Sequence, residues 1–212
     1  MSAADLPGEQ WSPGDPLTDT TERWQVRFSS RPYEGFIAVR EDGVTGPDGA
    51  EFNRVVMESP GAVGVLAVDD ADTGEPRVLL LRQYRHAAAS RLLEIPAGLL
   101  DVEGEEPLAA AVRELAEEAS LRAESWSPLL RLWSSPGLSD EHWEVYLASG
   151  LSVVPEDDRQ AREHEEADMT AVWVPLSAAV EAALQGRIAD SMAVSAVLAL
   201  HARRTRGAGS AV

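Results

Sequence analysis

The sequence predicts an α+β protein in which an antiparallel β unit precedes a larger region of mixed strands and helices. Three observations carry that reading. The stretches WQVRF and GFIAVRED alternate apolar and polar residues between turn residues. The runs GAVGVLAV and RVLLLRQY are apolar throughout, as core strands are. The stretch PLAAAVRELAEEASL then repeats apolar residues at three- and four-residue steps, the period of a helix.

Taken in order, residues 1–18, with Pro7, Pro13 and Pro16, read as a flexible leader. Residues 19–58 form the antiparallel β unit, and residues 59–205 the main domain. Within that domain DDADTGEP is a loop between the two apolar strands, and Ala87–Arg91 is a second loop. LLEIPAG is a strand that stops at Pro96, and Pro107 suits a first helical position. The helix it opens buries a stripe of Leu108, Ala111, Val112, Leu115 and Ala119. Strands are expected at 128–134, 143–148 and 171–174, and helices at 177–184 and 190–203, with 206–212 as a flexible tail.

Composition narrows the function. The chain has 212 residues, 18 basic and 36 acidic, for a net charge of -18. Such a charge repels nucleic-acid phosphates, so a nucleic-acid partner is not expected. An anionic small substrate would be repelled as well, so phosphate chemistry here requires bound cations. With no cysteine, thiolate catalysis and cysteine-held zinc are excluded. The N-terminus lacks a basic region followed by an apolar run, and no apolar stretch is long enough to span a membrane. The expectation is a cytoplasmic protein with no membrane partner.

Glu114, Glu117 and Glu118 lie three and four residues apart on the predicted helix and share one face, away from the apolar stripe. Like charges so placed destabilise a helix unless a cation sits between them, and hard carboxylate oxygens suit Mg2+ or Mn2+. A solvated acidic face is the alternative on so acidic a chain. The neighbouring residues decide against it: Gly98, Glu105, Arg113, Leu115 and Leu121 stand in a fixed pattern around the cluster.

That pattern resembles the Nudix hydrolases, whose signature is Gly, five residues, Glu, seven residues, Arg-Glu, apolar, any, Glu-Glu, any, Gly, apolar. From Glu105 to Leu121 the spacing is followed, with two departures: six residues separate Gly98 from Glu105, and Ser120 stands at the family's glycine. The resemblance implies an α/β/α sandwich with a mixed central sheet. It also implies Glu114, Glu117, Glu118 and the Ala97 carbonyl as metal ligands for two or three Mg2+, or Mn2+, and Glu105 with Arg113 as a structural ion pair.

EIPAGLLD, RQYRH, SSPGLSDE and HEEADMTAVWVPL extend the likeness to the ADP-ribose pyrophosphatase branch, of actinobacterial type, across about residues 22–203. The branch implies hydrolysis of ADP-ribose to AMP and ribose 5-phosphate. It puts a catalytic base in the loop of Glu165 and Glu166, with Glu166 preferred, and sets Ser139 and Glu141 against the ribose or the metal cluster. It also implies a homodimer that exchanges its N-terminal strands.

From the residues themselves, Arg85 at a strand end is placed to grip a diphosphate, Arg54 is a weaker candidate of the same kind, and Glu94 inside an apolar strand must be paired or functional. Trp11, Trp24 and Trp133 are candidates to stack on an adenine, against the commoner use of Trp as core or interface filling, and His164 reads as a solvated loop residue. Two other readings stay open, a hydrolase of another nucleoside diphosphate derivative and a non-catalytic ADP-ribose-binding module. Isopentenyl diphosphate isomerases share the likeness but depend on a cysteine this chain lacks.

Overall fold

A computed structural model of the chain describes residues 11–35, 37–70, 74–159 and 168–209. The first sheet joins β1 (Gln25–Glu34), β2 (Ala38–Thr45) and β3 (Glu51–Glu58) in that order, all antiparallel. Its β1 is exposed along its whole length. Phe28 lies across from Gly43, where an added Cβ would stand 2.3 Å from the ring, so the glycine makes room for the aromatic side chain. Ion pairs supply much of the remaining cohesion: Glu58 takes Arg31 at 2.7 Å and Arg40 at 2.7 Å, and Arg40 also reaches Asp42 at 2.8 Å.

The second sheet has seven strands: β4 (Ala62–Asp69), β5 (Arg77–Arg85), β6 (Ser90–Glu94), β7 (Ala97–Leu99), β8 (Leu121–Trp133), β9 (His142–Val153) and β10 (Thr170–Pro175). Its main path is β10-β5-β4-β9-β8, with β6 on β5 and β7 on β4. Only β4 and β9 run parallel, so the sheet is mixed, as the sequence predicts.

Alternate residues of β4 serve two cores. Val63, Val65 and Ala67 pack against α1 (Pro107–Ala119), while Leu66 and Val68 pack against α2 (Leu176–Leu184) and α3 (Ser191–Gly209). The result is an α/β/α sandwich. Strands β4 and β5 pair only at Val68↔Val78 and Asp69↔Arg77. Beyond that point β4 pairs with β7 and β5 with β6. The two central strands therefore diverge, and the gap between them opens the cavity described below.

Four expectations are corrected. Strands β8 and β9 are far longer than 128–134 and 143–148, pairing from Leu121↔Val153 to Trp133↔His142 around a bulge near Pro128. Their added halves are polar and half exposed, so an apolar signal could not report them. The final helix runs to Gly209, past Arg203. A 3-10 turn at His86–Ala88 occupies part of the expected loop.

The fourth concerns α1, where Leu108 and Val112 are 41% and 43% exposed and the inward residues are Ala110, Ala111, Glu114, Leu115 and Glu118. Small alanines let the helix lie close to the sheet beside Leu115, which turns two of the glutamates inward and leaves Leu108 and Val112 outside.

Candidate active site

The face of α1 that carries Glu114, Glu117 and Glu118 looks into a cavity of about 740 Å³ at the gap between β4 and β5. Pro107 at the first turn starts this helix, and Ser120 ends it in the left-handed conformation, at φ 54° and ψ 40°. Its N–H donates to Ala116 O at 3.0 Å and its carbonyl accepts Val154 N–H at 2.9 Å. The serine therefore takes the conformation a glycine would adopt without strain.

Gly98 is required for another reason. A Cβ there would lie 1.9 Å from Glu114 Oε1, so only glycine lets that carboxylate rest against the backbone of β7. The adjacent Ala97 donates its N–H to Glu118 Oε2 at 2.8 Å. Thus two box glutamates, 9% and 4% exposed, are tied to the short strand that enters the helix loop.

Arg113 gathers the others. It meets Glu105 at 3.0 and 3.2 Å, Glu114 at 2.7 Å and Glu117 at 3.1 Å. The hydrogen bonds that Arg113 donates to Glu105 raise the Arg113 pKa first of all, and the same contacts hold the Glu105 carboxyl below its ordinary range. Across the cavity Arg85 grips Glu94 through Nε at 3.0 Å and Nη2 at 2.7 Å. The carboxylate buried in β6 is thus paired, by the arginine that the sequence nominates for substrate.

Among the described residues, seven carboxylates and two guanidinium groups line the cavity: Glu94, Asp101, Glu114, Glu117, Glu118, Glu141 and Asp190 against Arg85 and Arg113. An anionic diphosphate would be repelled from this lining unless cations stand between. The donor set, all hard oxygen, fits a divalent ion of the magnesium or manganese kind. Among the described residues no three carboxylates converge closely enough to hold one ion without movement. Arg113 stands between Glu114 and Glu117, and Glu118 is turned to Ala97, so side-chain rotation is part of the fit.

Of the residues nominated from sequence, Arg85, Glu94, Ala97, Gly98, Arg113, Glu114, Glu117, Glu118 and Glu141 line this one cavity, and Glu105 backs it. Arg54 and Ser139 do not. They line a separate cavity of about 490 Å³ beside β3, where the Arg54 guanidinium lies 4.2 Å from the Phe52 ring centroid. Trp24 packs edge-on to Phe52, Trp133 edge-on to His142, and Trp11 is exposed, all away from the carboxylates. Glu165, Glu166 and His164 lie outside the described residues. Asp168, just after them, pairs with Arg91 of β6, which lowers the Asp168 pKa.

Sequence reasoning missed Asp190, Asp101, Gln83, Trp143 and Met192, all on the cavity wall. Asp190 had a signal, since an Asp before an apolar helical run is an N-cap. Its Oδ2 accepts Ala193 N–H at 2.7 Å at the start of α3. Burial, with a smaller contribution from Glu94, pushes its carboxyl up from the ordinary aspartate value. Only packing reveals that this cap faces the carboxylates of α1 from the opposite layer.

Fold, glutamate helix and metal-suited cavity together define a Nudix hydrolase, and the chain belongs to that family: the family model described as NUDIX domain matches residues 58–194. Nudix hydrolases in general use divalent metal ions. The chain is similar to an ADP-ribose pyrophosphatase of Mycobacterium tuberculosis, 46% identical over 168 residues, covering 79% of this chain and 78% of that protein. It is also similar to a methanol dehydrogenase activator of Bacillus methanolicus, 34% identical over 184 residues, covering 87% and 93% of the two. The crystal structure of an ADP compounds hydrolase shares the fold, with a TM-score of 0.72 at 20% identity, over 91% of this chain and 99% of that one. Among the described residues no helix is long and apolar enough to cross a membrane.

Proposed function

We propose that this protein hydrolyses the diphosphate of ADP-ribose to AMP and ribose 5-phosphate, using Mg2+ or Mn2+. The observation that carries the reading is the cavity in which the three box glutamates meet Arg85. The likeness to the M. tuberculosis ADP-ribose pyrophosphatase points to the substrate. Glu114, Glu117, Glu118 and the Ala97 carbonyl would hold two or three ions, which when bound neutralise the diphosphate and acidify water.

The chain's own residues do the rest. Arg85 exchanges its bidentate hold on Glu94 for phosphate oxygens, a swap between partners of like geometry. Glu105 keeps Arg113 anchored when Glu114 and Glu117 turn away from it. Glu166, or Glu165 beside it, takes the proton of the attacking water as the new P–O bond forms and the bridging P–O bond breaks. Glu141 contacts the substrate from the turn that precedes β9.

We further propose a cytoplasmic homodimer. Trp24, Val26, Phe28, Tyr33 and Val55 leave large apolar surface exposed on the first sheet, more than a separate sheet of three strands is suited to present to water. In such a dimer Arg54 reaches the partner's substrate. Gel filtration of a Phe28→Glu variant at monomer mass, against a dimeric parent, is the expected result; a fully active monomeric parent would end this part of the reading.

The decisive assay incubates the protein with ADP-ribose, ADP-sugars, NAD-type dinucleotides and diadenosine polyphosphates, with and without Mg2+. ADP-ribose should be cleaved fastest, and only with metal. Glu118→Gln should remove turnover yet fold, because its amide oxygen still accepts Ala97 N–H. Unchanged turnover in that variant refutes the metal assignment.

A further inference from the structure

We propose that Ser139 is a positioning residue that fixes the Glu141 carboxylate in the cavity by stapling its turn to the N-terminal sheet. The inference rests on the hydrolase reading for its kinetic consequence and on geometry for the rest. Ser139 is 5% exposed, and its hydroxyl is fully used, donating to Met57 O at 3.0 Å and accepting Glu141 N–H at 3.0 Å. It touches neither the carboxylates of α1 nor the space in front of them.

The staple is broader than one hydroxyl. Met57 donates its N–H to Leu138 O at 2.8 Å, and its carbonyl also accepts Asp140 N–H at 3.2 Å. Met57 and Ser139 form a parallel bridge, the one ladder contact between β3 and the turn. Ser59, two residues after Met57, donates its N–H to Asp140 Oδ1 at 3.0 Å and its hydroxyl to Glu141 Oε1 at 3.4 Å. The Glu141 carbonyl in turn accepts Ser134 N–H at 3.1 Å. Backbone N–H, backbone C=O and side chain of Glu141 are therefore each held.

A carboxylate facing Glu114, Glu117 and Glu118 across a shared cavity is pushed outward by like charge, so it needs such restraint to stay. The sheet that carries no box residue thereby sets one wall of the site. Ser139, at the SSPGLSDE turn, acts on the reaction through Glu141.

The test pairs amide hydrogen exchange with a double-mutant cycle on the full chain. In Ser139→Ala the Glu141 and Asp140 amides should exchange about fivefold to tenfold faster, with Ser139→Thr slower than Ala because the hydroxyl returns. With ADP-ribose and Mg2+, Ser139→Ala should lower kcat/KM by about 10- to 100-fold, and should add little to the loss in Glu141→Gln. A merely structural serine would lower turnover equally in both backgrounds. Unchanged exchange, losses that multiply, or a Glu141→Gln variant with parental turnover each overturns the proposal. If the parent cleaves no diphosphate at all, the hydrolase reading falls, and the exchange result alone still supports or overturns the placement of Glu141.

Discussion

The two sheets of this protein are stabilised in opposite ways. In β4 of the larger sheet nearly every residue is buried, with helices on both faces, whereas β1 of the smaller sheet is exposed from end to end. The first is held by hydrophobic burial, which scales with covered area and needs no particular partner. The second is held by ladder hydrogen bonds, the Arg31, Arg40 and Glu58 cluster, and the clasp between Met57 and Ser139. The carboxylate-lined cavity lies where the well-packed sheet meets α1, and there side chains can be fixed. The smaller sheet offers surface, and its ordering contribution to the site arrives through one turn.

The contrast is broken or sharpened most strongly by core truncation. Leu66→Ala, at a fully buried position, should cost about 2–5 kcal/mol in denaturant unfolding. Phe28→Ala, 43% exposed in the single chain, should cost about 1 kcal/mol. Equal losses would mean that the smaller sheet is covered in solution, as the dimer requires.

Turn substitutions come next and should differ in sign. Ser120→Gly relieves a left-handed residue at φ 54° and should raise stability by about 1 kcal/mol. Gly49→Ala, at φ 78° in the β2–β3 turn, should lower it by about the same amount. Thermal melts of the two variants check both.

The smallest effect separates the two acid-sensitive clasps. Glu105, held by Arg113, and Glu58, held by Arg31 and Arg40, both have pKa values below the ordinary 4.5 in the folded chain. Depressed carboxylates add stability above their unfolded pKa and lose it as pH falls through the folded value. Glu105→Gln and Glu58→Gln should each melt below the parent near neutrality and converge with it in acid. A gap that persists at low pH would show that packing, and not charge, links these residues.

Much of this was legible in the sequence. The helix from Pro107 and the strands β4 and β5 are local patterns, and the carboxylate spacing on α1 needs only helical geometry to become a face. Arg85 and Glu94 were nominated from the residues themselves, and Gly98 with the box glutamates through the family resemblance; that all of them line one cavity is decided by packing. The extra halves of β8 and β9 were not, because a half-exposed hairpin carries no continuous apolar run. Asp190 could be read as a helix cap but not as part of the cavity. Leu108 and Val112 fit the buried period equally well, and only the closeness of Ala110 and Ala111 to the sheet turned them outward.

By itself, then, the sequence determined which residues share a helix face, that the chain is too acidic to hold an anion without cations, and which glutamates stand in the family's order. The tertiary structure decided what those residues meet: that Gly98 is there for Glu114, that Arg54 lies in a different cavity, and that the Ser139 hydroxyl is spent on Met57 and Glu141. The physical reason is range. Periodicity and spacing are set by neighbours a few residues away, whereas Met57 and Ser139 are 82 residues apart and are joined only when two sheets dock.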